Sequence, residues 1–254
     1  MRPLRFLTAT LACTALTALA TGCGSHTAAS AKVGGTPAAP STAPTSQLTG
    51  LTAQQISDKA ENALKHASSL TITLESKGNG KTSGTMRMDR VGHCDNRLSM
   101  GAQGSFHMIK SDGQVLMQPD QAMITAMGVP AAARKRLAGK WLNLTSSADM
   151  KDLAKFCDLN AFLKEVATDD NENDIAKSGT ATMGGVPTVV LKGRDTDGSL
   201  MYLYVAATGT PYPLKIARPT GKDAGTALFS RYDDPVTVQA PPKDQIIGVS
   251  QLTS

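Results

Sequence analysis

The chain has 254 residues, 41% of them hydrophobic but only 4% aromatic, and its 26 Lys and Arg against 21 Asp and Glu give a formal net charge of +5. The basic residues are scattered among acids, which argues against a nucleic-acid-binding protein. The tightest basic cluster, Arg134-Lys135-Arg136 with Lys140, reads as a solvated helix face.

Arg2 and Arg5 precede an apolar run from Leu7 to Ala20 that matches a secretory signal and is too short to remain as a bilayer-spanning helix. The run ends in Ala18-Leu19-Ala20-Thr21-Gly22-Cys23, which reads as a lipoprotein cleavage site. Thr21 and Gly22 are small enough for a peptidase to reach the backbone, and Cys23 offers a thiol for a diacylglycerol; the other reading is an ordinary secretory signal with Cys23 as a bystander. The expectation is a signal peptide over 1–22, lipidation at Cys23 with the palmitate-type chains of bacterial lipoproteins, and a location on the outer face of the bacterial plasma membrane. Residues 23–50 are then the lipidated cysteine and a flexible Ala/Ser/Thr/Pro tether, stiffened at Pro37, Pro40 and Pro44. Roughly 200 residues remain, enough for one domain over 51–248 with a core of its own.

Thr52-Ala53-Gln54-Gln55 forms a capping box, with Leu51 and Ile56 as its hydrophobic staple. A helix follows, in which Ile56, Ala60, Ala63, Leu64 and Ala67 make one apolar stripe. Next come short segments of strand periodicity: Leu70, Ile72 and Leu74, then Met86 and Met88, Leu98 and Met100, Phe106 and Met108, Val115 and Met117. The turns between them, including Gly78-Asn79-Gly80 and Ser111-Asp112-Gly113, are too short for parallel crossovers, so the strands form an antiparallel meander. Helices are predicted over 121–127, 131–138 and 149–166, the last broken near Asp158, with a short strand at 141–144. Strands resume over 175–183, 187–192, 200–206, 212–218, 224–232 and 236–239. The fold class is α+β: a long antiparallel sheet in two runs, an N-terminal helix against it, and a helical insertion between the runs.

Cys13 leaves with the signal and Cys23 is the anchor, which leaves Cys94 and Cys157. Outside the cytoplasm this pair is expected to form a disulfide, the alternative being two buried free thiols. No G-x-S-x-G, H-E-x-x-H or S-x-x-K in a plausible setting is present, and His66, His93 and His107 read as surface or turn residues, so no enzyme, no cofactor and no metal is expected. The acidic run Asp169, Asp170, Glu172, Asp174 and the stretch Asp195-Thr196-Asp197-Gly198 fall short of a calcium ligand set and read as solvated loops. Met86, Met88, His93, Cys94, His107 and Met108 contain copper-type ligands, but their alternation favours inward-facing core side chains. The same alternation makes Leu70, Ile72, Leu74, Met86, Met88, Leu98, Met100, Phe106, Met108, Val115 and Met117 the candidates for lining an apolar cavity if the sheet's curvature leaves one.

In its order of elements the chain resembles the LolA-like lipoproteins, nearest the mycobacterial LprG/LppX type. The resemblance covers roughly 51–247 and is carried by the opening helix with Ser69-Leu70-Thr71-Ile72-Thr73-Leu74, the hairpin at Ser111-Asp112-Gly113, Gly139-Lys140-Trp141-Leu142, Gly185-Val186-Pro187-Thr188, Thr208-Gly209-Thr210-Pro211-Tyr212-Pro213-Leu214-Lys215-Ile216, and Phe229-Ser230-Arg231-Tyr232-Asp233-Asp234-Pro235-Val236-Thr237-Val238-Gln239-Ala240-Pro241-Pro242. It implies a strongly curved antiparallel half-barrel wrapped around helices, no enzyme activity, and an apolar cavity that accepts acyl chains of lipids or lipoglycans. The expected partners are the plasma membrane, through the lipid anchor at Cys23, and such a lipid or lipoglycan, and the protein is expected to be a monomer. The alternative function on the same scaffold is a non-carrier interaction or sensor module of the envelope.

Overall fold

The computed structural model describes residues 46–78, 81–145, 155–167, 175–195, 198–221 and 224–252. The proposed signal, Cys23 and nearly all of the tether lie outside these residues, as do the acidic run 169–174 and part of the 195–198 loop.

Helix α1 (Ala53–His66) begins as the capping box requires: Gln55 N–H donates to Thr52 Oγ1 at 3.2 Å, and Thr52 N–H donates to Gln55 Oε1 at 2.9 Å. Ile56, Ala60 and Leu64 form its buried stripe. Strands β1 (Ser69–Ser76), β2 (Thr82–Asp89), β3 (Cys94–Met100), β4 (Ser105–Ser111) and β5 (Gln114–Pro119) follow as a meander. Then come α2 (Gln121–Ala126), α3 (Ala131–Leu137), β6 (Trp141–Asn143) and α4 (Leu159–Ala167). A second meander runs through β7 (Ala176–Met183), β8 (Val186–Arg194), β9 (Leu200–Ala206), β10 (Pro213–Arg218) and β11 (Gly225–Ser230), and β12 (Ile246–Gly248) ends the fold. Helices α1 to α3 and strands β1 to β11 are present as expected; of the helix expected over 149–166, residues 149–154 lie outside the described residues and 155–157 form a 3-10 turn, and the break near Asp158 has a local cause: Asp158 Oδ1 accepts Ala161 N–H at 3.0 Å and so caps α4.

All twelve strands form one sheet in the order β12-β6-β5-β4-β3-β2-β1-β11-β10-β9-β8-β7. The two meanders are therefore joined by their first and last strands, β1 and β11, in the register Thr71↔Ser230 through Ser76↔Gly225. The sheet curves into a half-barrel whose concave face carries the main core, from Leu70 and Met88 across to Leu142, Cys157 and Phe229. Cys94 and Cys157 are disulfide-bonded with Cα atoms 5.2 Å apart, which fixes the turn before α4 against β3.

Three observations differ from the expectations. The segment 236–239 is extended but is not a strand of the sheet, because Val236 and Val238 satisfy their alternation by packing rather than by a ladder. The last strand is instead β12, three residues long and parallel to β6 (Ile246↔Trp141), so the sheet is antiparallel everywhere except this edge. Finally, Leu48 is buried against Ile56, Leu191 and Val205, and Gln47 N–H donates to Ala207 C=O at 2.9 Å, so packed structure begins ahead of residue 51.

Candidate functional site

The concave face is filled unevenly, and the cause is side-chain size along its cross-strand rows. In one row Ile72 stands between Met86 and Phe229, and the row continues through Asn96, Met108 and Met117. In the next row, toward the Ser76 end of β1, Leu74 stands between Gly84 and Ala227. One row further on, Ser76 faces Gly225, which in turn faces Arg218. Glycine is required at 84 and 225, since a Cβ there would collide with the carbonyl oxygens of Arg97 and Glu75. Ala227, with only a methyl group opposite Leu74, leaves space under α1.

That space is a cavity of about 320 Å³ between α1 and strands β1, β9, β10 and β11. Its apolar walls include Ile72, Leu74, Met86, Leu203, Ile216 and Phe229, with Phe162 of α4 on one side. A second space of about 210 Å³ shares Leu74, Ile216, Arg218 and Ala227 with it and continues past Glu75, Ser76 and Gly225. The polar boundary comes from α1, which presents Gln54, Ser57, Asp58 and Glu61, and from Arg218. Asp58 accepts from Gln54 Nε2 at 2.9 Å, and Glu61 pairs with Lys65. Arg218 Nε lies 2.6 Å from Asp195 Oδ2, close enough for an ion pair, but the N–H is aimed away and makes no hydrogen bond.

Of the side chains singled out in the sequence, Ile72, Leu74 and Met86 line this cavity. Leu98 and Phe106 line a shallower groove of about 730 Å³ at the ends of β2–β5, beside Ile124 of α2. Leu70, Met88, Met108, Val115 and Met117 are buried in the core, and Met100 packs against it. Met201, Leu203, Ile216, Ala227 and Phe229 line the cavity without having been singled out, although they lie in strands the sequence identified. The available signal was smallness: Ala227 at the cavity wall, and Gly225 in the space that continues from it, occupy inward-facing positions that elsewhere hold Met, Leu or Phe.

Two imidazole–carboxylate pairs are present among the described residues. His93 Nδ1 is 2.8 Å from Asp89 Oδ2, and His107 Nε2 is 2.8 Å from Asp95 Oδ1. Among the described residues no hydroxyl or thiol bonds to either ring, and no group of three or more His, Cys, Asp or Glu is placed to hold a metal ion. Burial first, and then the nearby Arg97, lower the pKa of His107 against the raising effect of its Asp95 partner, which favours the neutral ring.

No family model matches the sequence, and no curated protein does. Similarity appears at the level of structure. The lipoprotein LppX of Mycobacterium tuberculosis aligns with a TM-score of 0.50 at 12% identity, over 74% of this chain and 98% of LppX. LprF of Mycobacterium bovis aligns with a TM-score of 0.50 at 11% identity, over 74% of this chain and 96% of LprF. Identity this low speaks to architecture alone. With its two meanders joined at β1 and β11 and its helices on the concave face, the chain has the curved half-barrel fold of LppX and LprF.

Proposed function

We propose that the protein is an extracytoplasmic lipoprotein, held on the outer face of the plasma membrane through Cys23, that binds an acyl chain in the cavity under α1 and carries or presents the lipid. The observation that carries this reading is the cavity itself, walled by Ile72, Leu74, Ile216, Ala227 and Phe229 under α1. Its volume of about 320 Å³ lies at the lower end of small-molecule pockets, which span about 300–1,000 Å³, and suits one chain. Burial of the chain supplies about 0.8 kcal/mol per methylene, and the polar flank of α1 is placed to meet the headgroup.

The test is native mass spectrometry of the full-length protein taken gently from its own envelope, repeated after delipidation and with Ala227→Phe. A bound lipid mass that delipidation removes, and that the bulky substitution prevents while leaving the melting temperature within a few degrees, is the expected result. An apo mass that added monoacylglycerol or palmitate does not change would sink the reading.

A further inference from the structure

After β11 the chain crosses to the outer face of the sheet as a strap. Val236 is buried and Val238 packs on the cluster of Ile109, Leu116 and Trp141, whereas Thr237 and Gln239 are exposed, which is the alternation of a strand. Pro235, Pro241 and Pro242 hold the strap extended at both ends. Yet no backbone N–H or C=O of Val236–Pro241 has a partner among the described residues. Such a row of free donors and acceptors is a template for another strand.

A groove of about 550 Å³ runs beside the strap, floored by Asp95, Arg97, His107, Ile109 and Trp141. Its single carboxylate is already engaged twice: Asp95 Oδ1 accepts from Arg97 Nη1 at 3.0 Å and from His107 Nε2 at 2.8 Å. Arg97 is 65% exposed, and its remaining guanidinium N–H groups have no partner among the described residues. Arg87, opposite Asp95 on the same face, has a buried Nε without an acceptor among the described residues. Arg97 in the groove and Arg87 beside it set two guanidinium groups against the one Asp95 carboxylate, and unpaired donors remain above an apolar floor at Ile109 and Trp141.

We propose that this groove takes an extended, acidic peptide segment of a partner protein, which adds as a strand to Val236–Ala240 and sets a carboxylate against Arg97. Main-chain bonds to the strap supply affinity, and alternate side chains reaching the floor and Arg97 supply selectivity. The assignment is independent of the lipid reading, because the groove lies on the outer face and the cavity on the concave one.

The test uses the isotope-labelled full-length protein and two capped synthetic hexapeptides, Val-Thr-Val-Glu-Val-Thr and its counterpart with Lys in place of Glu. The Glu peptide is expected to slow amide exchange at Thr237–Ala240 and to bind about tenfold more tightly than the Lys peptide at low salt. Arg97→Glu reverses that preference, and Gln239→Pro, which removes an N–H while keeping an extended backbone, weakens both peptides. Exchange at the strap that neither peptide changes, or strap protection that instead rises with protein concentration in the absence of peptide, overturns the proposal; the second outcome identifies a further copy of the chain as the occupant.

Discussion

The two strand runs that meet at β1 and β11 cover one concave face with different materials. On the β1–β6 side the inward positions hold Met86, Met88, Met108, Met117 and Phe106, all buried, with Ile124, Leu137 and Leu163 from α2, α3 and α4 packed into the same core. On the β8–β11 side, Ile56 and Ala60 of α1 pack with Leu191 and Val205 at one edge, but Leu203, Ile216 and Ala227 stay only half-buried. The outer faces differ as well. Tyr202, Tyr204 and Leu228 crowd the second run, where Lys215 Nζ lies 5.3 Å from the Tyr204 ring centre and Leu228 is 38% exposed. Flexible thioethers fill irregular space, whereas small residues opposite a single helix leave it empty. The cavity therefore falls on the second run and on its seam with the first.

The largest effect should come from the filled side. Met108→Ala removes a fully buried side chain and is expected to cost about 2–5 kcal/mol, while Ile216→Ala, at a wall already facing open space, costs about 1 kcal/mol. Urea denaturation at unchanged m-value measures both, and equal losses would mean that the two sides are packed alike.

Next in size is the disulfide. Its two cysteines are 63 residues apart, so replacing both with Ser should cost about 2–4 kcal/mol, close to what loop-closure entropy gives for such a loop. Because the bond fixes the turn ahead of α4, and α4 supplies Phe162 to the cavity, the double variant should also loosen lipid binding. Thermal unfolding with and without reductant reads the first effect, and lipid retention reads the second. A smaller loss, about 1 kcal/mol, is expected for Thr52→Ala, which removes the cap of α1 and so tests how far that lone helix holds the open side.

The strands were legible because a sheet with one buried face writes its alternation into the sequence, and α1 because its capping box is four adjacent residues. The disulfide was legible by subtraction, with two cysteines left in the domain. The cavity was not. It depends on Leu74 meeting Ala227, a contact that exists only through the pairing of β1 with β11, which no local pattern encodes. The strap misled for a related reason: Val236 and Val238 alternate in the same way whether a neighbouring strand or the apolar patch at Ile109 and Trp141 receives them. Three-residue β12 is too short for any period to show.

The smallest predicted effect concerns the seam itself. Asp233 Oδ1 accepts Ser68 N–H at 2.7 Å and Ser68 Oγ–H at 2.9 Å, and its Oδ2 accepts Tyr212 O–H at 2.5 Å, so one carboxylate ties the start of β1 to the turn before β10. The Tyr212 bond, followed by the Ser68 N–H, holds its pKa below the ordinary value of 3.8; Tyr212, through burial first and Asp233 second, is pushed up to about 12. A carboxylate whose folded-state pKa is depressed contributes stability that is complete above its unfolded value and is lost as pH falls through the folded one. Solvent screening at this exposed corner limits the contribution to about 1 kcal/mol or less. Asp233→Asn should therefore flatten the fall in stability below about pH 4, whereas Met108→Ala lowers the whole curve by a constant amount. Urea midpoints from neutral pH down to about pH 2.5 separate the two, and an acid limb unchanged by the Asn substitution would mean that the seam is held by the β1–β11 ladder and the stacked rings of Tyr212 and Tyr232, 3.9 Å apart, without help from the carboxylate.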